Sequence, residues 1–441
     1  MNTPICSFLT EYAKKANLRL HMPGHKGLGD VEKYDLTEID GADSLYDASG
    51  IIKESEDNAS QLFGCHTLYS TEGSSLAIRA MLHLACLMNK SESAPIILAG
   101  RNAHKVFISA SALCGFDVEW LYGENASYLS CKVSANDVAE KLDSMESLPL
   151  AVYITSPDYL GNMTDIKGIA EVCHSRGVLL LVDNAHGAYL AFTEPSMHPI
   201  ALGADMCADS AHKTLPCLTG SAYLHLADSI PDSIKARAKS ALALFGSTSP
   251  SYLILASLDM ANRYLSDGYK GKLANFTHKL VETKANLALI GYEIIGDEPM
   301  KLTLCPKSYG YTGYELADIL AKNKIVPEFY DEDHIVLMPT PEITEKDLAK
   351  LEVVLLILKK REKITTAPPV LGSPKRKLSP RKAIFSDAET VKSADAVGRV
   401  LADITIGCPP AVPIVVSGEE IDENAVRAFE YYGIDTCSVV K

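Results

Sequence analysis

Five apolar residues, Val178-Leu179-Leu180-Leu181-Val182, run without a break into Asp183. A strand that is apolar on both faces must be covered on both faces. The run therefore predicts a central strand of a parallel sheet, with Asp183 at its C-terminal end. Ligands of open α/β sheets bind at that edge. Lys213 follows 30 residues later (213 − 183), after the short apolar Met206-Cys207-Ala208 and within Ser210-Ala211-His212-Lys213-Thr214-Leu215-Pro216. That interval holds a loop and one further strand, so both side chains can reach one crevice. A lysine there, beside a hydroxyl and an imidazole, suits an amine held ready to form a Schiff base. Taken alone, a His-Lys pair after a strand is more often a surface lysine. An Asp for a pyridine nitrogen and a Lys for an aldehyde are together what pyridoxal phosphate (PLP) requires of its protein.

The flanking segments extend the pattern. Gly64 to Ser75 is a small-residue, hydroxyl-rich turn leading into the helical Leu76-Ala77-Ile78-Arg79-Ala80-Met81-Leu82. Gly73, Ser74 and Ser75 at such a helix start form a ready phosphate site, or equally an ordinary N-cap. Ile96-Ile97-Leu98-Ala99 predicts a buried strand, followed by Arg101-Asn102-Ala103-His104-Lys105. A second strand over Ala151–Pro157 and a helix over 165–176 lead back to the Asp183 strand, which is a βαβ unit. Residues 1–19 read as an amphipathic helix, and His21-Met22-Pro23-Gly24-His25-Lys26-Gly27 as a loop that either lines a pocket or forms an exposed basic turn.

With Ser70-Thr71-Glu72-Gly73-Ser74-Ser75, Asp183-Asn184-Ala185-His186-Gly187, Ser247-Thr248-Ser249-Pro250-Ser251-Tyr252, Pro409-Pro410-Ala411-Val412-Pro413 and Ser417-Gly418-Glu419, these segments resemble the Orn/Lys/Arg decarboxylase family of fold-type-I PLP enzymes, in its short form without an N-terminal wing domain. The resemblance implies an α/β fold. It has a fold-type-I PLP-dependent transferase-like large domain with a mainly parallel sheet, a smaller α/β domain and a small C-terminal domain. The expected division is an N-terminal arm at 1–45, the PLP-binding large domain at 46–261, the small domain at 262–360, a linker at 361–378 and the C-terminal domain at 379–441.

The resemblance further implies pyridoxal 5'-phosphate as cofactor and Lys213, Asp183, His104 and His212 as catalytic residues. His104 would stack on the cofactor ring, His186 would bond its phenolic oxygen or pack beside it, and Gly73, Ser74, Ser75, Ser210 and His212 would hold the phosphate. The expected reaction is decarboxylation of arginine, lysine or ornithine to a polyamine-type amine. The Ser247–Tyr252 loop implies a homodimer, or a higher homo-oligomer, with shared active sites. Departures from the family stand at Glu72, where Asn is usual and where a carboxylate would meet the phosphate, and at Asn184, Tyr189, Ala411 and Ser417.

The same Asp and Lys serve aminotransferases and aldolases of this fold. Aminotransferases typically place an Arg in the small domain, and residues 300–340 contain no clear one. A regulator without catalysis is disfavoured by the intact Lys213 and Asp183. A basic substrate needs a carboxylate at a set distance, for which Asp43, Glu328 and Glu419 are candidates. Glu419 reads more readily as the start of a helix with Glu420.

Composition narrows the remaining classes. A formal net charge of −14 argues against nucleic acid as a partner. The 11 cysteines are scattered, with no C-x-x-C pair, and read as reduced thiols of a cytoplasmic protein; no metal site is expected. No run is long enough to span a bilayer and no signal-like start is present, so no membrane association is expected. The basic run Lys375-Arg376-Lys377 reads as part of a solvated linker.

Overall fold

The computed structural model of the chain describes residues 1–123, 127–128, 130–407 and 412–441. Its centre is a seven-stranded sheet of β1 (His66–Ser70), β2 (Ile96–Gly100), β3 (Asp117–Leu121), β4 (Ala151–Thr155), β5 (Leu179–Asp183), β6 (Met206–Asp209) and β7 (Ala222–Leu226). The order is β1-β7-β6-β5-β4-β2-β3. The pairs from β3 across to β6 are parallel, and β7 runs antiparallel to both β6 and β1. The uninterrupted apolar run sits at the middle, as a strand buried on both faces must. Leu181 belongs to one core with Met206, Ala208 and Phe107, whereas Leu180 and Val182 belong to another with Cys207 and Ile169.

Helices cover both faces. α1 (Pro4–Lys14) is shorter than the expected 1–19, because Pro4 starts it and the chain leaves the helix before Ala16, which adopts a left-handed φ of +49°. α2 (Ile51–Phe63) ends on Gly64 in the left-handed region. α3 (Gly73–Leu87) packs under β1, β6 and β7 and against α4 (Lys105–Cys114), and His104 caps α4 by accepting the Val106 N–H at 3.2 Å.

Two long helices, Tyr252–Ser266 and Tyr269–Leu289, lead to a four-stranded antiparallel sheet of β8 (Glu293–Ile295), β9 (Leu302–Cys305), β10 (Phe329–Tyr330) and β11 (Ile335–Leu337), with its own core around Leu302, Leu304, Leu316 and Leu355. The C-terminal segment carries two small two-stranded sheets and the helix Glu423–Tyr431. Glu419 does not begin that helix. It is buried in a bidentate pair with the fully buried Arg101, at 2.6 and 2.8 Å, and fastens the C-terminal segment beside the end of β2. Breaking such a pair strands a charge in the core, so it acts as a lock on register. Pro409, Pro410 and Ala411 lie outside the described residues. The ten described cysteines are free thiols, and no helix is long and apolar enough to cross a membrane among the described residues.

Candidate active site

The C-terminal ends of β4, β5 and β6 and the start of α3 converge on one cavity of about 240 Å³. Its lining includes Gly73, Ser74, Ser75, His104, Asp183, His186, Ser210, His212 and Lys213, so the residues expected to hold the cofactor meet there. Gly73 opens α3 at φ +71°, a conformation that disfavours any side chain, and donates its N–H to the Gly220 carbonyl at 2.8 Å. The next N–H groups of this helix start have no intrahelical partner. Ser74 and Ser210 bond to each other through their hydroxyls at 2.7 Å, which joins the α3 turn to the lysine segment. His212 donates from Nδ1 to the Ser221 carbonyl at 2.9 Å.

Asp183 is almost fully buried. It accepts from the Tyr153 hydroxyl at 3.1 Å and the Ala185 N–H at 3.2 Å, and makes no ion pair among the described residues. Burial raises its carboxyl above the usual range, and the nearby Lys213 offsets this only in part. Burial likewise lowers the Lys213 amine, against the pull of Asp183 and Glu328. His104 is pushed down to about 4 by burial and by the lysine charge. Its Nδ1 accepts the cap bond, so the neutral ring carries its proton on Nε2.

His186 lies between two lysines. Lys213 Nζ is 3.1 Å from its Nε2, and Lys301 Nζ is 3.4 Å from its Nδ1. Lys301, only 3% exposed, donates two other hydrogens to the carbonyls of Asp158 (3.2 Å) and Tyr159 (3.3 Å). An ammonium can only donate. Its third hydrogen therefore makes Nδ1 the acceptor and leaves the imidazole proton on Nε2, facing the Lys213 nitrogen. A donor at that place favours the neutral, nucleophilic amine. No motif marks Lys301; it precedes an ordinary strand and reaches the site because the small sheet packs on the segment that follows β4, from Asp158 to Leu160. Tyr153 and Thr155 were more accessible, alternating along a strand already placed next to Asp183.

Several expected contributors lie elsewhere. Asp43 spends its carboxylate on the backbone N–H groups of Ser44, Ser49, Gly50 and Ile52 at 2.9–3.0 Å. The His21–Gly27 loop does not line the cavity: His21 bonds Tyr12 at 2.6 Å and His25 bonds Asp35 at 3.1 Å. Glu72 turns outward and accepts the Ser247 N–H at 2.6 Å, so it places no charge in the phosphate cradle. Asn184 turns away from the cavity to Asp209 at 2.7 Å, and Tyr189 bonds Glu298 beneath the small sheet. A Cβ at position 187 would come within 2.0 Å of Asn184 Oδ1, so a side chain there would displace Asn184 from Asp209. Glu328 alone of the three candidate carboxylates stays by the cavity, accepting from the hydroxyl of the lining residue Tyr159 at 3.2 Å.

The sequence model of the family described as Orn/Lys/Arg decarboxylase, major domain, matches residues 3–293. The chain belongs to the Orn/Lys/Arg decarboxylase family. It is thus an enzyme of the class that decarboxylates basic amino acids. It is 31% identical to an arginine decarboxylase of Halalkalibacterium halodurans, over 96% of this chain and 91% of the relative. An arginine decarboxylase of Bacillus subtilis is 29% identical over 96% of this chain and 92% of its own length. In fold, the chain is similar to the lysine decarboxylase LdcF of Francisella novicida, with a TM-score of 0.81, 18% identity, and coverage of 100% of this chain and 81% of that one. The fold is thereby that of fold-type-I PLP-dependent enzymes.

Proposed function

We propose that the cavity holds pyridoxal 5'-phosphate and that the chain removes the α-carboxyl group of arginine, lysine or ornithine as CO2. The observation that carries this reading is Asp183, a buried carboxylate aimed at the cavity with no cationic partner among the described residues. A protonated pyridine nitrogen is the missing partner. The remaining donors fit the same group. The α3 start with Ser74, Ser75, Ser210 and His212 suits a phosphate dianion, and the Thr155 hydroxyl at the cavity wall is buried without a hydrogen-bond partner. Lys213 is the amine that would tether the aldehyde. His104 and His186, kept neutral, would flank the ring without adding charge.

When bound, the cofactor supplies a cationic conjugated ring that accepts the electron pair left as CO2 departs. The chain's own residues set what surrounds that event. Asp183 holds the ring nitrogen protonated. Lys301 fixes the His186 tautomer, and His186 keeps the Lys213 nitrogen neutral. The α-carbon takes one proton in place of its carboxyl group, and Lys213 and His212 are the cavity groups placed to deliver it.

Glu328 beside Tyr159 is the carboxylate suited to the distal cation of the substrate. A Glu328→Gln variant should raise KM for a basic amino acid roughly ten-fold or more, from the loss of a charged hydrogen bond, with a smaller change in kcat. Steady-state kinetics at constant ionic strength checks this. The working unit is a homodimer or larger homo-oligomer in the cytoplasm. Leu18, Leu20 and Leu28, 84–90% exposed on one N-terminal segment, support the oligomer as apolar side chains a second subunit would cover. Borohydride treatment of PLP-loaded protein should leave a pyridoxyl group on Lys213, read by peptide mass spectrometry. A label on another lysine, or none, would overturn the site.

A further inference from the structure

On the face of the sheet opposite the Asp183 carboxylate, four side chains of metal-ligating type meet in the core: His198, Cys207, Asp209 and His225. Cys207 and Asp209 are two apart on β6 and so share one face. His225 pairs with Cys207 in the antiparallel register with β7, and His198 comes from the segment that covers them. All four are at most 2% exposed. Asp209 Oδ2 lies 3.1 Å from Nε2 of both His198 and His225, and Cys207 Sγ lies 3.6 Å from Asp209 Oδ1 and 3.7 Å from His198 Nε2. A tetrahedral zinc ion with ordinary Zn–N, Zn–O and Zn–S bonds sets its ligand atoms about 3.3–3.6 Å apart. The separation of Cys207 Sγ from His198 Nε2 is close to that spacing, the two from Asp209 Oδ2 to the imidazole nitrogens are a few tenths of an ångström short of it, and the ligand atoms of all four side chains lie within 4.8 Å of one another.

The surrounding groups orient the ligands. Asn184 donates to Asp209 Oδ1 at 2.7 Å. The Thr67 hydroxyl holds Nδ1 of His225 at 2.9 Å, which turns Nε2 toward the Asp209 carboxylate. A cation bound there would take the Nε2 lone pair and leave Nδ1–H to donate to Thr67, whose own hydrogen can go to the Cys65 carbonyl at 3.3 Å. A divalent cation with one thiolate, one carboxylate and two neutral imidazoles sums to zero charge, which suits a site without solvent.

We propose that His198, Cys207, Asp209 and His225 bind one divalent cation of the zinc class as a structural centre behind the catalytic cavity. The site has no open position for water and takes no part in the chemistry; it braces the strand that leads into Ser210 and Lys213.

The test is the metal content of the untagged holoenzyme, grown with zinc and dialysed against buffer without chelator. The expected result is about one zinc per chain, lost in Cys207→Ser and in His225→Gln. Chelator-treated wild-type protein should regain its melting temperature on adding zinc(II), and the variants should not. Cobalt(II) in place of zinc should give a thiolate charge-transfer band that Cys207→Ser abolishes, a readout that survives if one variant folds poorly. Wild-type protein with less than half an equivalent of zinc and no melting shift on adding zinc(II) would overturn the proposal. So would zinc retained undiminished by both variants, since it would then sit elsewhere.

Discussion

Asp183 and Asp209 end neighbouring strands, equally buried, on opposite faces of one sheet. Asp183 has two neutral donors, and burial raises its carboxyl. Around Asp209 stand His198, His225, Asn184 and Cys207. One face is left incomplete and opens on a cavity, while the other is closed by its own side chains. Burial alone says nothing about role; the count and charge of the partners separate a carboxylate that awaits a ligand from one already engaged.

Exchanging the two charges is the strongest way to break this contrast. Asp183→Asn should lower kcat about a thousand-fold, the scale of losing one fixed electrostatic partner in a water-excluded site, without lowering the melting temperature of the cofactor-free protein. Asp209→Asn should do the reverse. It should cost about 2–4 kcal/mol of stability in urea unfolding, because a buried network loses its centre, while activity of the surviving folded protein changes far less. Equal losses of stability in both variants would erase the distinction.

Lys301→Met tests how the open face is tuned. Without the donor on Nδ1, His186 is free to change tautomer, and the pH at which Lys213 reacts with an amine reagent in the cofactor-free protein should rise. Activity should fall roughly ten- to a hundred-fold by misplacement, with part of it returning in Lys301→Arg. The smallest effect concerns His104. Its folded pKa of about 4 lies below the ordinary 6.5, so its contribution to stability is present above pH 6.5 and lost as pH falls toward 4. His104→Gln should therefore flatten the fall of melting temperature across that window.

The central strand, the order of elements around it and the meeting of Asp183 with Lys213 were legible in the sequence, since all follow from apolar runs and short βαβ spacing. That Gly73, Ser74, Ser75, His104, His186, Ser210 and His212 would line the same cavity followed from the family resemblance rather than from any one segment. Lys301 was not legible, because its approach to His186 depends on how a second sheet packs against the first. The fate of the three candidate carboxylates was equally hidden: backbone amides claim Asp43, Arg101 claims Glu419, and only Glu328 is left by the cavity. The cluster of His198, Cys207, Asp209 and His225 escaped a search by spacing, because strand register rather than a short motif brings it together.

The most direct test of the account is release of CO2 by PLP-loaded protein given arginine, lysine and ornithine in parallel, with Lys213→Ala as the blank. Release from one of the three, absent in the variant and matched by the corresponding amine, is the predicted result. A wild-type protein that carries the pyridoxyl label on Lys213 yet frees no CO2 from any of them would contradict it.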